Sequence, residues 1–370
     1  MLKVLHLTGR MDCGGAETML MNIYRHMDRE RLSFDFLVCG QGKGYYDEEI
    51  KALGGNLFYI GSQGSLGLPG YIRELKKILK QHDKYDIVHS HLDWQGGAIA
   101  YAAYIAGIKR RIVHVHTNST ARKSFLFRKV LDLQKHWINK YATDFWACSN
   151  SAAGYSFNKD KRVEIIPNAI DLKKYLDPDL EVVQSIKEQI NAAEETIVIG
   201  HIGNFSATKN QKYLLELSRM LNDKQIDFRL LFVGDDQTSY AIEIKDLMQK
   251  YNLGNNIFFL GLRDDIYNLV HVFDVFCFPS LFEGLGIVAV EAQAAGVPCI
   301  VSEGVPAEVD MGLALVDHVS LDNPDNWLEK IVACKSKKVN EKKRIEKALE
   351  EKNFNIKSSV KLIEKLYLRD

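Results

Sequence analysis

Short runs of β-branched and aromatic residues alternate with longer amphipathic segments along almost the whole chain. This alternation is typical of repeated strand–helix units, in which parallel strands form a sheet that helices cover on both faces. At roughly 150 residues per domain, the 370 residues suffice for two such domains. The sequence therefore predicts an α/β protein of two Rossmann-like, doubly wound domains. We place the strands near residues 4–7, 34–39, 86–90, 111–115, 145–148, 163–166, 197–202, 230–233, 257–260, 275–278, 299–302 and 313–316.

A polar, charged passage without a strand pattern separates the two series of strands. It begins at Pro167 and runs through Pro178, so we place the domain boundary at its start. The N-terminal domain would span residues 1–167 and the C-terminal domain residues 168–352. Residues 353–370 are predicted to form a terminal helix that packs back toward the N-terminal domain. Its apolar stripe would consist of Ile356, Val360, Ile363, Leu366 and Tyr367.

Basic and acidic side chains are equal in number, 48 of each, so the formal net charge is zero. A neutral chain argues against a general nucleic-acid binder. The neutrality conceals an asymmetry, because residues 1–170 carry 24 basic and 16 acidic side chains whereas residues 171–370 carry 24 and 32. Such an asymmetry suggests an interaction surface on one of the two halves.

The cysteines and the apolar stretches indicate the compartment. The six cysteines show no Cys-x-x-Cys spacing, and four of them lie in apolar, strand-like runs where a buried thiol is expected. The longest uncharged apolar stretch, residues 96–108, has 13 residues, whereas a membrane span needs about 20. We therefore expect a protein of the reducing cytoplasm without a transmembrane helix, whose membrane contact is at most peripheral.

A glycine loop follows the first predicted strand. Residues 9–17 read Gly-Arg-Met-Asp-Cys-Gly-Gly-Ala-Glu, which lacks both the Gly-x-Gly-x-x-Gly pattern of dinucleotide-binding folds and the Gly-Lys-Ser/Thr of the P-loop. The backbone amides of Gly14 and Gly15, at the start of a helix, could instead approach an anionic group. The alternative is a tight turn that binds no ligand.

The most informative segment is residues 278–298, Phe-Pro-Ser-Leu-Phe-Glu-Gly-Leu-Gly-Ile-Val-Ala-Val-Glu-Ala-Gln-Ala-Ala-Gly-Val-Pro. A strand ends at Pro279, a loop follows, and a helix of small residues runs to a stop at Gly296. Glu283 is then expected at the mouth of the loop and Glu291 about two turns inside the helix, about 12 Å away on nearly the same face. This span fits the two ends of a nucleotide sugar, with the diphosphate facing the helix N-terminus. The backbone amides beside the diphosphate would be those of Gly284, Leu285 and Gly286.

This segment resembles the signature of the family 4 retaining glycosyltransferases of the GT-B fold, in which two glutamates separated by seven residues are followed by Ala-x-Ala-x-Gly-x-Pro. The resemblance extends to residues 14–17, 86–91 and 167–171 and to the strand that leads into Gly203, so it spans nearly the whole chain. It is strongest to the branch that makes capsules and exopolysaccharides. It implies two domains that face each other across a cleft, with the acceptor on the first, the nucleotide-sugar donor on the second, and no metal or other cofactor.

The resemblance also assigns roles to single residues. Glu283 and Lys209 would be catalytic residues, Glu283 by orienting the sugar and Lys209 by stabilising the leaving diphosphate. Glu291 would hold the ribose. The family pattern places an Arg five residues before that lysine, but this chain has Asn204, which can donate only a neutral hydrogen bond. Arg263 could supply the missing charge, lie near the base or be a surface residue.

Two pairs of histidines close neighbouring predicted strands, His89 with His91 and His114 with His116. Residues two apart on a strand share a face, so a four-histidine metal site is one interpretation. The resemblance instead favours His116 as a catalytic residue beside the reacting sugar, with His114 as the alternative. Asp177-Pro178-Asp179 superficially matches the metal motif of the other large glycosyltransferase fold, but we interpret it as a turn and predict no metal.

Basic and aromatic residues cluster between residues 109 and 140. This cluster is either an ordinary surface helix or an interfacial patch that docks on anionic lipid, where a polyprenyl-linked acceptor would be found. Its members are Lys109, Arg110, Arg111, Arg122, Lys123, Arg128, Lys129, Lys135 and Lys140, with Phe125, Phe127, Leu131, Leu133 and Trp137.

The sequence thus predicts a retaining glycosyltransferase that moves a hexose from a UDP or GDP sugar to a saccharide acceptor, carried on a lipid, during surface polysaccharide assembly. It would work in the cytoplasm, at the inner face of the cell membrane. Two alternatives remain at this point. One is a non-hydrolysing sugar-nucleotide epimerase on the same fold, and the other is a catalytically weak partner of a second transferase, which Asn204 motivates.

Overall fold

The computed structural model of the chain describes residues 1–12, 14–81, 85–117 and 124–369. The chain divides into two compact units, one formed by Met1–Ile170 together with Asn353–Asp370 and the other by Asp171–Lys352. Both units contain a sheet whose paired strands run parallel, which is the arrangement that alternating strand and helix segments produce. The predicted fold class, two doubly wound parallel α/β domains, is confirmed.

Within the described residues, the first unit contains a sheet of seven strands in the order β3-β2-β1-β4-β5-β6-β7. The order reverses at β1, so β1 and β4 lie side by side at the switch point where ligands of such sheets bind. The strands are β1 (Leu2–Thr8), β2 (Leu32–Cys39), β3 (Leu57–Ile60), β4 (Ile87–Ser90), β5 (Arg110–Val115), β6 (Asp144–Ala147) and β7 (Val163–Ile165).

Helices cover both faces of this sheet. Successive residues of β1 point to opposite faces, so Val4 joins one apolar core and Leu5 joins the other. The helices before the domain boundary are α1 (Gly15–His26), α2 (Asp47–Ala52), α3 (Gln63–Gln81, with Gly67 in a non-helical conformation), α4 (Gly96–Ala106), α5 (Phe125–Tyr141) and α6 (Asn150–Ser156).

The second unit contains, among the described residues, a six-stranded sheet in the order β10-β9-β8-β11-β12-β13, which again reverses at its first strand. The strands are β8 (Ile197–Ile202), β9 (Phe228–Val233), β10 (Ile257–Phe259), β11 (Val275–Phe278), β12 (Cys299–Val301) and β13 (Val316–His318). The helices are α7 (Leu172–Leu176), α8 (Leu180–Gln189), α9 (Gln211–Asp223), α10 (Ser239–Lys250), α11 (Ile266–Leu269), α12 (Ile287–Ala294), α13 (Pro324–Ala333) and α14 (Lys342–Glu351).

The last helix, α15 (Ile356–Leu368), belongs to the first unit. Its five predicted stripe residues are all buried in the core that contains Val4 and Phe34. Arg110 of β5 fixes its C-terminal end, because the guanidinium donates hydrogen bonds to the carbonyls of Leu366 and Tyr367 at 2.6 Å each. The side chain of Arg110 also pairs with Asp144 at 2.9 Å.

Each of the twelve predicted strands overlaps an observed strand, but two details of the prediction were wrong. The strand β3 was missed, because it is a four-residue edge strand bounded by glycine and asparagine. The strand predicted near residues 313–316 is shifted to β13. Leu313 and Leu315 are buried, yet Ala314 between them has φ +59°, a left-handed conformation that an extended strand excludes.

Candidate active site

The carboxyl ends of β8 and β11 are neighbours in the second sheet, and the loops that follow them carry most of the predicted donor-site residues. These two loops, residues 203–210 and 279–286, are joined by hydrogen bonds. The backbone amide of Leu281 donates to the carbonyl of Thr208 at 2.8 Å, and the side-chain amide of Asn210 donates to the carbonyl of Pro279 at 3.2 Å. The sheet topology therefore brings together two segments that lie 69 residues apart in the sequence.

The ammonium group of Lys209 donates to the carboxylate of Glu283, with Nζ 2.7 Å from Oε1. The same Nζ lies 4.8 Å from the centre of the Phe278 ring, so the cation also faces an aromatic surface. The Glu283 backbone is held by Gly304, whose carbonyl accepts its N–H at 3.1 Å. Both side chains are largely buried, with 23% of Lys209 and 10% of Glu283 exposed. Two of the three predicted catalytic residues thus form one ion pair.

Gly286 sets the start of the helix that carries the second glutamate. Its φ is +88°, and a Cβ on it would lie 3.1 Å from a ring carbon of Phe278, so both the backbone conformation and the space favour glycine. Helix α12 begins after this residue, which makes Glu291 the fifth residue of the helix. The prediction of a helical rise of about 12 Å between the two glutamates was therefore wrong, because the chain from Glu283 to Gly286 is not helical.

Glu291 has a specific partner within the second unit. Its Oε1 accepts a hydrogen bond from the hydroxyl of Tyr175 at 2.8 Å. Burial raises the pKa of Glu291, and the hydrogen bond from Tyr175 partly opposes that rise. The side chain is thus fixed in orientation, and its surroundings disfavour the charged form.

The N-terminus of α12 has no side-chain cap from Gly286. The first amides of a helix have no partner inside the helix, so they bind anions when no side chain satisfies them. The C-terminal end follows the prediction, since Gly296 has φ +72° and its N–H donates to the carbonyl of Gln293 at 2.9 Å.

Two further predicted donor residues, Asn204 and Arg263, have different surroundings. The side chain of Asn204 is exposed. The backbone carbonyl of Asn204 accepts a hydrogen bond from the side-chain amide of Gln211 at 3.1 Å, which fixes the loop. The guanidinium of Arg263 binds its neighbour Asp265, with Nε 2.7 Å from Oδ1. This ion pair raises the pKa of Arg263. The charge of Arg263 is therefore matched within its own loop.

Three glycines that follow β8, β9 and β10 were missed as a group by the sequence analysis. The N–H of Gly234 donates to the carbonyl of Gly261 at 2.9 Å. A Cβ on Gly234 would lie 2.2 Å from the carbonyl oxygen of Gly203, so no other residue fits there without a shift of the backbone. The signal was present in the sequence, because each glycine directly follows a predicted strand. Together they leave the ends of these three strands without side chains at these positions, which gives a ligand access to the backbone there.

In the first unit, Gly14 caps α1 and Gly15 begins it, as the glycine loop predicts. The carboxylate of Glu17 lies against this turn, since a Cβ on Gly14 would lie 2.3 Å from Glu17 Oε2. Burial raises the pKa of Glu17, and a hydrogen bond with its own backbone lowers it. Asn168 Nδ2 donates to the carbonyl of Gly15 at 3.2 Å. The anion that faces this helix N-terminus is therefore a side chain of the protein itself.

Five histidines meet on one face of the first sheet. Four of them are the predicted residues of β4, β5 and the loops after them, and the fifth, His6 of β1, was missed because a single histidine in an apolar strand gives no motif. His91 links two others, with its Nε2 3.0 Å from His6 Nδ1 and its Nδ1 3.1 Å from His116 Nε2. Of the two candidates for the sugar contact, His114 is 1% exposed, whereas His116 is half-buried at the end of its strand.

Asp93 fixes the backbone at this strand end. Its Oδ1 accepts the N–H groups of His116 at 2.7 Å and of Thr117 at 3.1 Å. Burial raises the pKa of Asp93 to about 6, although both hydrogen bonds oppose the rise. Burial lowers the pKa of His116 to about 4, so its imidazole is neutral at pH 7.

The basic cluster is smaller in the structure than in the sequence. Arg122 and Lys123 lie outside the described residues, Arg110 anchors α15, and Arg111 donates to the carbonyls of Ile108 and Tyr141 at 2.6 Å each. On α5 itself, Phe125 is 70% exposed and Lys129 Nζ lies 4.8 Å from its ring centre. No helix in the described part of the chain is both long and apolar enough to span a bilayer.

The Asp-Pro-Asp triplet has structural partners. The carboxylate of Asp177 pairs with Lys342 at 2.7 Å. Asp179 caps α8 by accepting the backbone N–H groups of Glu181 and Val182. Both carboxylates therefore serve the local fold.

Comparison with known proteins places this geometry in a family. Residues 13–174 match the family model described as Glycosyltransferase Family 4, and residues 182–352 match the model described as Glycosyl transferases group 1. A Bacillus subtilis (strain 168) protein that bears the name glycosyltransferase EpsF is 38% identical over 336 residues, which cover 89% of this chain and 86% of the relative. This chain belongs to glycosyltransferase family 4. The membership decides between the transferase and the epimerase in favour of the transferase.

Two further likenesses bear on this glycosyltransferase. An Escherichia coli protein named UDP-Gal:alpha-D-GlcNAc-diphosphoundecaprenol alpha-1,3-galactosyltransferase is 27% identical over 330 residues, 81% of this chain and 79% of the relative. The crystal structure of Anabaena HepE in complex with UDP-glucose matches with a TM-score of 0.80 over 99% of both chains. Its sequence identity of 20% means that this second likeness shows the fold alone.

Proposed function

We propose that this family 4 glycosyltransferase transfers a hexose, with retention of the anomeric configuration, from a UDP or GDP sugar to a saccharide on a polyprenyl diphosphate. The step would belong to surface polysaccharide assembly. The observation that carries the proposal is the Lys209–Glu283 pair at 2.7 Å, which joins the loop after β8 to the loop that precedes the N-terminus of α12. A cation, a carboxylate and uncapped helix amides on one pair of loops are the groups that a sugar diphosphate requires.

Lys209 is the group that stabilises the leaving diphosphate. Negative charge grows on that diphosphate as the bond to the sugar breaks, and a cation held in place by the protein stabilises the transition state more than the ground state. Asn204 stands where the family pattern places an Arg, so Lys209 and the N-terminus of α12 would supply most of the positive potential here.

Glu283 serves the sugar. In the donor-free protein its carboxylate neutralises Lys209, and a bound diphosphate would compete for the same ammonium group. Once Lys209 turns to the diphosphate, Glu283 is free to accept hydrogen bonds from the sugar hydroxyls. Glu291, oriented by Tyr175, accepts hydrogen bonds from the ribose in the same way. No metal takes part in this scheme.

The acceptor is proposed to bind the first unit, where His116 offers a neutral imidazole at a strand end. Support for a lipid-linked acceptor comes from the E. coli relative, whose name specifies a UDP donor and a diphosphoundecaprenol-linked acceptor. The exposed Phe125 and its neighbour Lys129 would hold the enzyme at the inner face of the membrane as a peripheral protein.

Transfer from a panel of UDP, GDP and ADP hexoses to a synthetic polyprenyl-diphosphate saccharide tests the proposal. We expect one UDP or GDP sugar to give product, and NMR of the new linkage to show the anomeric configuration of the donor. Lys209→Ala should reduce the turnover about 10³-fold, whereas Lys212→Ala, an exposed lysine on α9, should leave it unchanged. Absence of transfer from every donor, an inverted product, or full activity of Lys209→Ala would each overturn the part of the proposal it addresses.

A further inference from the structure

The registers of the first sheet gather imidazoles on one face. His6 of β1 pairs with His89 of β4, and His89 pairs with Ile112 of β5. Because side chains two residues apart share a face, His91, His114 and His116 continue the same face toward the carboxyl ends of the strands. Five imidazoles in one buried cluster far exceed what apolar packing requires, so the cluster calls for another explanation.

Three of these imidazoles converge. His91 Nδ1 lies 3.1 Å from His116 Nε2, and the ring centres of His114 and His116 are 4.2 Å apart. One ring nitrogen from each of the three lies within 4.8 Å of the other two. A tetrahedral Zn²⁺ ion bound at about 2.0–2.1 Å holds its ligand nitrogens about 3.3 Å apart. Small rotations of the rings would therefore bring the three nitrogens to coordination distance.

His114 has fewer hydrogen bonds than its two ring nitrogens can make. It is 1% exposed, and among the described residues only the backbone of Ile166 acts on its ring as a hydrogen-bond partner, so at least one ring nitrogen has none. That hydrogen bond raises the pKa of His114, although burial lowers the pKa far more. Buried polar atoms without partners are rare in folded proteins and indicate an unseen ion, water or function.

We propose that His91, His114 and His116 bind a divalent transition metal ion, with Zn²⁺ as the ion that three imidazoles and an open fourth position fit best. His6 completes the arrangement. When Nδ1 of His91 coordinates the ion, its Nε2–H donates to His6 Nδ1, 3.0 Å away, as the second nitrogen of a coordinating histidine usually does. Burial keeps these imidazoles neutral, which is the state that coordinates a metal.

A second trio, His6, His89 and His91, also has nitrogens within 4.8 Å of one another. It is the weaker site, because all three of its residues are buried and an ion would not reach them from solvent. In the trio of His91, His114 and His116, the outermost residue His116 is half-buried, which gives an ion access. The metal site goes beyond the proposed transfer reaction, in which no metal takes part. His116 faces the trio with Nε2, so the acceptor would contact its other nitrogen, Nδ1. Binding measurements test the metal site independently of activity.

The test uses the full-length protein after treatment with EDTA and gel filtration. Titration with Zn²⁺ against a chromophoric chelator should show one tight site per chain, and Co²⁺ should give the visible bands of tetrahedral coordination. His114→Ala and His116→Asn should each weaken Zn²⁺ binding at least 100-fold and abolish the Co²⁺ bands. His6→Ala should weaken binding about 10-fold, as the loss of an outer hydrogen-bond partner does.

His136→Ala, an exposed histidine on α5, is the matched control and should bind Zn²⁺ as the unchanged protein does. Circular dichroism confirms the fold of each variant, and His116→Asn keeps the test decisive if His114→Ala does not fold, since His116 is half-buried. The proposal is overturned if no tight site is found, if His116→Asn binds Zn²⁺ normally, or if His6→Ala alone abolishes binding.

Discussion

The carboxyl ends of the two sheets hold opposite kinds of polar group. In the second unit, charged side chains lie on loops beyond the strands, where Lys209 and Glu283 neutralise each other and retain some contact with solvent. In the first unit, imidazoles lie on the strands or directly after them, and burial lowers the pKa of His6 to about 3 and that of His116 to about 4. Full charges are tolerated where they pair on the loops beyond the strands, which we call the rim. Polar groups on the sheet face stay neutral. The rim suits a diphosphate, and the sheet face suits hydroxyls or a metal ion.

The largest effect is expected when the acidic partner of the Lys209–Glu283 ion pair is replaced. Glu283→Gln should lower the turnover about 10²–10³-fold, because the amide cannot accept from the sugar hydroxyls as a carboxylate does. The affinity for UDP alone should stay equal or rise, since Lys209 is no longer held by a counter-charge. Steady-state kinetics and calorimetry with UDP separate the two quantities.

The matched control for that change is Glu216→Gln, an exposed glutamate on α9, which should alter neither quantity. A loss of UDP affinity in Glu283→Gln as large as the loss of turnover would show that Glu283 supports the diphosphate site as a whole. The pairing of Lys209 with Glu283 at the charged rim would then need a different explanation.

The next effect concerns Gly286, whose backbone conformation shapes the loop before α12. Gly286→Ala should destabilise the second unit by about 1–3 kcal/mol, because alanine is strained at φ +88° and its Cβ meets Phe278 at 3.1 Å. Gly312→Ala is a matched control with φ +73° and open space around the new Cβ, so it carries the strain alone. Thermal unfolding should give the larger decrease in Tm for Gly286→Ala; equal decreases would mean that the contact with Phe278 adds nothing.

A smaller effect tests the buried face of the first unit. Tyr367→Phe removes the hydroxyl 2.6 Å from His89 Nδ1 and leaves a buried nitrogen without a partner. We expect a loss of about 1–2 kcal/mol in the free energy of unfolding. The exposed Tyr104→Phe should change it little. Unchanged stability of Tyr367→Phe would mean that water replaces the hydroxyl.

The contrast between the two regions also separates what the sequence could predict from what it could not. Strand positions follow from local periodicity, so the fold and the position of Glu283 in a loop after β11 were predictable. The pairing of Lys209 with Glu283 was not, since it depends on how two loops 74 residues apart fold against each other. Tyr175 was missed for the same reason, because it lies in a passage that reads as a linker and no spacing relates it to Glu291. The conformation of Gly286 is set by tertiary contacts with Phe278, and local sequence does not report those.

The smallest effect concerns Glu291, which departs from the pattern of paired charges in the predicted donor site. Glu291 is a buried carboxylate whose pKa is raised above its ordinary value of 4.5. For such a group the ionised form destabilises the fold, so stability is highest below the ordinary pKa and falls as the pH rises toward the elevated folded-state pKa. Glu291→Gln removes this penalty while an amide can still bond Tyr175. We expect a Tm a few degrees above the unchanged protein at pH 7, and a difference that shrinks toward zero as the pH falls to about 4. Donor affinity should fall about 10-fold in the same variant, because the ribose loses a charged acceptor. A Tm difference that stays constant across this pH range would show that folding does not raise the pKa of Glu291, and burial would then impose no penalty on its charged form.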